Sequence, residues 1–432
     1  MPPQPPRMRA DTDSRFPMKG NTGMSLTRRQ LGAAATLVAV TTIPAMTTAA
    51  CGAPETPGTQ EGSNGEVPDN PGSAVTLNIL DVAGNLQLTQ PMIDDFVTKN
   101  SAVVSKVTYS KATAPELAGK VKAQQNANRV DIDLVLTGTD GLAAGLDQSI
   151  WMQMLPKFAP RLTGMSNYLP GAAAMQKLAG DFGVTVTYYP SGPLIEYLPA
   201  KVPTPPKTAE ELLAYAKANP GAVQYARPAN SGPGRTLLMG LPYLLGDSDP
   251  KDPANGWAKT WTFLTELNKY ITLYPSSTSE TMKNLANGSA KIIASTTGWD
   301  INPRVLGTVP AEARTATLEG FHWVTDAHYA VVPKGISTDK QSAILLLLAH
   351  MLTPEQQAKA YDKGYFYPGP AVKDVPLSMA PAESQQAIKD YGRPEYDKLI
   401  AENPLEVPLD AKTMVAAFDK WDREVGGAKV KK

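Results

Sequence analysis

Cysteine is almost missing from this chain: Cys51 is the single one in 432 residues. One thiol excludes an internal disulfide and any cysteine-based metal cluster. Histidine is nearly as scarce, and His322, His328 and His350 have no convincing metal-ligand spacing. Gly232-Pro233-Gly234 lacks the third glycine of a dinucleotide fingerprint. The sequence contains no G-x-S-x-G elbow, no H-E-x-x-H pair and no phosphate-binding Walker loop. Asp131 and Asp133 alternate along a predicted strand and so face opposite sides, which argues against an acid/base pair. The same alternation points the rings of Tyr188 and Tyr189 apart and weakens a tyrosine-based iron site. No catalytic residue, cofactor or metal is therefore expected, and the chain is not read as an enzyme. Charge of one sign is missing too, with 41 basic residues against 41 acidic. The first fifty residues hold six basic and two acidic side chains, which leaves 35 basic against 39 acidic beyond them. A mildly acidic body has no electrostatic footprint for nucleic acid.

What is present begins with an address. Arg28-Arg29 is followed by a weakly apolar run over 31–50 with a small-residue exit, the pattern of a secretory signal peptide. The arginine pair suggests a twin-arginine signal, with Met24 as a natural start. An uncleaved transmembrane helix is the rival reading, and Pro44 and the threonines weaken a span of about 20 residues. The run ends at Thr47-Thr48-Ala49-Ala50-Cys51-Gly52, which resembles a bacterial lipobox with Thr48 in place of the usual leucine. That resemblance implies diacylation of Cys51, and two or three acyl chains anchor a protein stably. Residues 51–73, rich in Pro, Gly, Ser and acidic side chains, read as a flexible tether.

The remaining length and a hydrophobic content of 42% fit two packed lobes. Strands are expected at 75–82, 103–109 and 130–136, with helices between them marked by Met92, Ile93, Phe96 and Val97 and by the Thr113/Glu116 start signal. Alternating strand and helix is the rhythm of an α/β lobe. A second strand-rich region starts near Phe182, with 184–189 broken by Pro190-Ser191-Gly192-Pro193 and resumed at 194–197. Further on come helices from Thr208, from Thr236 after a loop over 227–234, and over 257–270. Strands at 222–225, 291–294 and 328–332 and a helix over 341–352 complete the pattern, and no internal repeat is found.

In their order these landmarks resemble the extracellular solute-binding proteins of ABC importers, in the family that includes the spermidine/putrescine-binding proteins. The resemblance spans residues ~75 to ~430. It rests on the opening strand with its Gly84-Asn85 loop and on Asp131-Ile132-Asp133-Leu134-Val135 with Gly138-Thr139. It rests equally on the strand from Phe182 to Tyr197, on Asp326 to Gly335, and on Leu352-Thr353-Pro354-Glu355-Gln356-Gln357. It implies an α/β, two-lobe periplasmic-binding-protein (type II) fold, each lobe a mixed sheet flanked by helices, with a ligand cleft between them. Lobe 1 would take 74–185 and 328–375, lobe 2 186–327, and 376–432 a C-terminal helical segment, after a signal peptide at 1–50. Hinge closure on a small polar solute is the implied mechanism, with delivery to an ABC permease and its ATPase. The protein would be an exported monomer, lipid-anchored on the extracellular or periplasmic face of the cell membrane. Asp326 and His328 stand where a spermidine-type protein carries a Trp-x-Asp pair, so a polyamine-like solute stays one option among several. The rival classes are a lipid-anchored secreted hydrolase and a sensory or adhesion lipoprotein on the same fold.

Open α/β sheets bind ligands at the C-terminal ends of their strands. That rule nominates Asn85, Thr139, Asp140, Ser231, Gly232 and Asp300. Ser231-Gly232 before a helix suits an anionic group, whereas Trp299-Asp300 and Asp326 suit a cation beside an aromatic face. Tyr189 and Ser191 lie at the proposed hinge, and His328 on the return strand completes the set. The loop Tyr365 to Pro370 is expected to close a core.

Overall fold

The computed structural model describes residues 65–82 and 84–430. The signal segment, Cys51 and most of the tether lie outside the described residues. The described residues form ten strands: β1 (Val75–Val82), β2 (Val104–Ala112), β3 (Leu134–Thr137), β4 (Gly183–Gly192) and β5 (Leu194–Tyr197), then β6 (Val223–Gln224), β7 (Ile292–Ser295), β8 (Arg314–Ala316), β9 (Trp323–Val331) and β10 (Leu405–Glu406). They form two sheets. The first runs β10-β9-β3-β1-β2, with β4 also paired to β9, and the second runs β6-β7-β5-β8. Strands β1, β2 and β3 are parallel, while β9 lies antiparallel to both β3 and β4. Helices cover both sheets, so this is an α/β protein of two lobes.

Most elements follow from local sequence. In β1, Leu77, Ile79, Leu80 and Val82 are all buried, because helices cover both faces of the sheet. The helix Ala114–Asn126 opens with a capping box, in which Glu116 Oε2 accepts from the Thr113 N–H at 3.0 Å. Strand β3 is shorter than the expected 130–136. The Asp133 carboxylate accepts from Asn78 N–H at 2.8 Å and pairs with Lys340, and its side chain closes off the strand's entry. Strand β4 extends through Pro190 and Ser191 to Gly192, but its pairing with β9 shifts register between Tyr189 and Gly192, where the break was expected.

The apolar interior is divided. One core gathers Leu77, Ile79, Val135, Leu136, Val184, Val186 and the helix Thr338–Met351. The other gathers Ile195, Tyr225, Leu238, Trp257, Ile292 and Trp421. Each fully buried aliphatic side chain contributes roughly 1.5–3 kcal/mol, so each lobe has its own source of stability. The antiparallel pair β4 and β9 joins them. Along β9, Val324 packs into the second core while Ala327 and Tyr329 pack into the first. Along the outgoing chain, Tyr188 belongs to the first core and Ile195 to the second. The change of core thus falls beside Tyr189 and Asp326, which are register partners across the ribbon.

Candidate functional site

All nine residues of β9 are buried, including the polar Thr325, Asp326 and His328. Buried polar groups are costly unless partnered, and Asp326 is fully partnered. Its Oδ1 accepts from Thr139 Oγ1 at 2.7 Å and from the Ala327 N–H at 3.0 Å. Its Oδ2 accepts from the Tyr189 hydroxyl at 2.7 Å and from Arg235 Nη2. Arg235 is 3% exposed, and its other nitrogen, Nη1, lies 3.2 Å from Asp140 Oδ2. Thr139 and Asp140 open the helix Thr139–Asp147 behind β3, and Arg235 lies in the first turn of the helix Gly232–Leu244 behind β6. Asp326 therefore connects lobe 1, both hinge strands and lobe 2.

Burial alone would raise the Asp326 carboxyl, but Arg235, Tyr189, His328 and Thr139 outweigh it and hold it below the usual carboxylate range. Burial raises the Asp140 carboxyl despite the opposing Arg235, and the charge of Asp326 adds to the rise. Burial pushes the His328 imidazole down to about 4 against the pull of Asp326, so the ring is neutral near pH 7.

These groups form the floor of a cleft of about 420 Å³, the size of a small-metabolite site. Its walls carry a ring cluster. Phe366 stacks on Tyr189 at 4.7 Å, His328 meets Phe366 edge-on at 4.4 Å, and Trp299 meets Tyr365 edge-on at 5.7 Å. Of the residues expected at the site, Asp140, Tyr189, Gly232, Trp299, Asp326 and His328 line this cleft. Thr139 sits just beneath, bonded to Asp326. Asn85 is fully buried at the start of the helix Leu86–Lys99, and neither atom of its amide has a partner. Ser231 caps the helix Gly232–Leu244, accepting from Gly234 N–H at 3.1 Å, and its hydroxyl also bonds Thr278. Ser191 is buried in the hinge, away from the cleft lining.

Asp300 is elsewhere. Its carboxylate accepts from Arg304, from Arg393 at 2.7 and 2.9 Å, and from the Tyr396 hydroxyl at 2.7 Å, fully buried. The chain turns helical at Thr297, so Trp299 in the first turn reaches the cleft while Asp300, one helical step further round, points to the C-terminal segment. The 227–234 loop likewise becomes helix at Gly232. Tyr365 and Phe366 do pack into a small core with Leu88 and Tyr189, as expected, and the outer side of that core also lines the cleft. Arg235 was missed, as were Ser277, Thr278 and Ser279 at the start of the helix Thr278–Asn287. Arginine inside an apolar helical run was the available signal, since an arginine so placed is rarely buried unless paired. Among the described residues no group of three or more His, Cys, Asp or Glu is arranged to hold a metal, and no helix is long and apolar enough to cross a membrane.

Two lobes with separate cores, joined by two strands, meet at a polar, ring-lined cleft, the architecture of a periplasmic-type binding protein. The chain belongs to the bacterial extracellular solute-binding proteins, whose family pattern matches residues 91–390. Sequence comparison with curated proteins gives no match. Among solved structures, an ABC transporter protein from Clostridium perfringens is similar with a TM-score of 0.59 and 13% identity, covering 81% of this chain and 100% of that one. A putative spermidine/putrescine ABC transporter protein from Listeria monocytogenes gives 0.55 and 14%, covering 80% and 97%. A periplasmic binding protein from Actinobacillus pleuropneumoniae with fructose-6-phosphate bound gives 0.56 and 13%, covering 82% and 99%. At such identities these likenesses concern the fold.

Proposed function

We propose that this protein captures a small polar solute by closing its lobes about the β4/β9 ribbon and delivers it to an ABC permease driven by an ATPase. The observation that carries the reading is the coincidence of three features at one place: the change of core along β4 and β9, the Asp326 hub and the floor of the cleft. A solute touching both walls there favours the closed state by its differential contacts. Export and anchoring through Cys51 extend the proposal, supported by the signal-like N-terminus and the family's extracellular character.

The polyamine-like option came from the family resemblance, with Trp299-Asp300 and Asp326 as its candidate contacts for a cation. Asp300 lies outside the cleft and Asp326 is saturated by its four donors, which removes that support. Capture is tested by thermal shift and small-angle scattering across sugars, sugar phosphates, carboxylates, amino acids and polyamines. A true solute raises the melting temperature, because it binds the native state alone, and reduces the radius of gyration. A melting shift accompanied by product formation would support the hydrolase instead. Anchoring is tested by cell fractionation, with the Cys51→Ser protein leaving the membrane fraction. If that variant stays with the membrane, the anchor assignment fails.

A further inference from the structure

The charge of the solute can be read from which groups in the cleft still lack partners. Both oxygens of Asp326 have two donors each, which fills a carboxylate's acceptor sites. Asp140 Oδ1 accepts from the Gly141 N–H at 2.9 Å, so Oδ2 facing Arg235 is the remaining carboxylate capacity. On the donor side the situation is reversed. Arg235 Nη1, though buried, is ion-paired with Asp140 Oδ2 at 3.2 Å but makes no hydrogen bond. Among the described residues that line the cleft, Arg235 is the only lysine or arginine. A buried guanidinium nitrogen held by an ion pair alone gains from an incoming acceptor that adds a hydrogen bond.

Helix starts point the same way. The helices Leu86–Lys99, Gly232–Leu244, Thr278–Asn287 and Thr297–Val305 all place first-turn or capping residues in the cleft lining. First-turn N–H groups have no acceptor within their own helix, and each helix start carries partial positive charge. Gly232 lies over the hub, and a methyl group at its Cα would sit 3.6 Å from Asp326 Oδ2 and 3.9 Å from Arg235 Nη2. The backbone there comes close to the guanidinium.

Resting on the capture reading above, we propose that the solute carries an oxyanion, a carboxylate or phosphate group, that docks on Arg235 Nη1 and the first-turn amides of Gly232 and Ser279. The rest of the solute lies against Trp299, Phe366 and Met282. His328 Nδ1, buried and without a partner, serves the solute's polar body as a neutral hydrogen-bonding group. Asp140 competes with the oxyanion for the same nitrogen and sets the threshold for binding.

The sign of an Asp140→Asn effect therefore reports the sign of the ligand. Inorganic phosphate, glutarate, fructose 6-phosphate, putrescine and spermidine are titrated at matched ionic strength against the wild type, Asp140→Asn and Arg235→Gln, by thermal shift and calorimetry. The expected result is binding of at least one of the three anions, tightened about tenfold in Asp140→Asn and weakened on the order of 100-fold in Arg235→Gln. Phosphate or fructose 6-phosphate as the binder identifies a phosphate group, and glutarate a carboxylate. Asp140→Asn keeps the test decisive if Arg235→Gln fails to fold. Binding of the diamine or triamine that weakens in Asp140→Asn overturns the proposal while leaving capture intact. If none of these anions binds, the proposal falls. Capture itself falls only if no solute of any charge class closes the lobes.

Discussion

Gly298 sits where the lobe 2 wall of the cleft meets the ring cluster. A Cβ added there would lie 2.4 Å from Phe366 Cα and 2.6 Å from its N and Cδ1. Two of those atoms are backbone, so no side-chain rotation relieves the clash. Reaching ordinary contact requires the helix Thr297–Val305 to retreat by about 1 Å, and overpacking of this kind costs about 1–3 kcal/mol. If the lobes move as bodies, Gly298→Ala relieves the clash by opening. The lobe arrangement of the structure then loses about 5- to 150-fold in population relative to a more open one, while each core keeps its packing. The expected outcome is a larger radius of gyration in small-angle scattering, with a loss of stability to urea below about 1 kcal/mol. An unchanged radius together with a loss of 1–3 kcal/mol would refute the hinge, because the strain would then have been absorbed inside one rigid body.

Asp300→Ala leaves Arg304 and Arg393 buried without their shared counter-ion, and denaturant unfolding should show a loss of about 3–5 kcal/mol. His328 has a folded-state pKa of about 4, below its ordinary value of 6.5. The unfolded chain takes up the proton first as pH falls, so the stability from this group is complete above pH 6.5 and lost toward pH 4. The loss is on the order of 3 kcal/mol, and replacing His328 with Asn should flatten the melting temperature over that window. Glu196 runs the opposite way, with burial as the larger cause and Asp300 adding to a rise to about 8. Its carboxyl costs nothing below pH 4.5 and destabilises progressively as pH climbs to about 8, so Glu196→Gln should raise the melting temperature at pH 8 more than at pH 5.

The sequence disclosed the strands of lobe 1 readily, because β-branched runs between helix start signals leave little choice. It nominated Tyr189 from the proposed hinge, His328 from the return strand and Asp326 as a carboxylate suited to a cation, and the three meet at the cleft floor. Its failures have a common cause. Asp300 and Trp299 are adjacent in sequence, and only the helical turn beginning at Thr297 separates the neighbour of Arg393 from the cleft ring. Arg235 lay within an apparently apolar helix, and its two carboxylate partners are 95 and 91 residues away. Long-range pairing of that sort leaves no local pattern. The Tyr365-Phe366 loop has a composition that suits a core or a cleft wall, and with Leu88 and Tyr189 on one side and Gly298 close by it serves as both.

The tail of the chain alters what the two hinge strands are free to do. Helix Ala411–Trp421 sinks Met414, Ala417, Phe418 and Trp421 into the second core and also lies against the helix Thr139–Asp147, whose Ala143 joins that same cluster. On the proposed capture mechanism, this prop behind the jaws restrains how widely they gape. A vacant molecule that is already held near its gripping posture gives up less freedom when cargo arrives, so tight retention would not demand many contacts with the cargo.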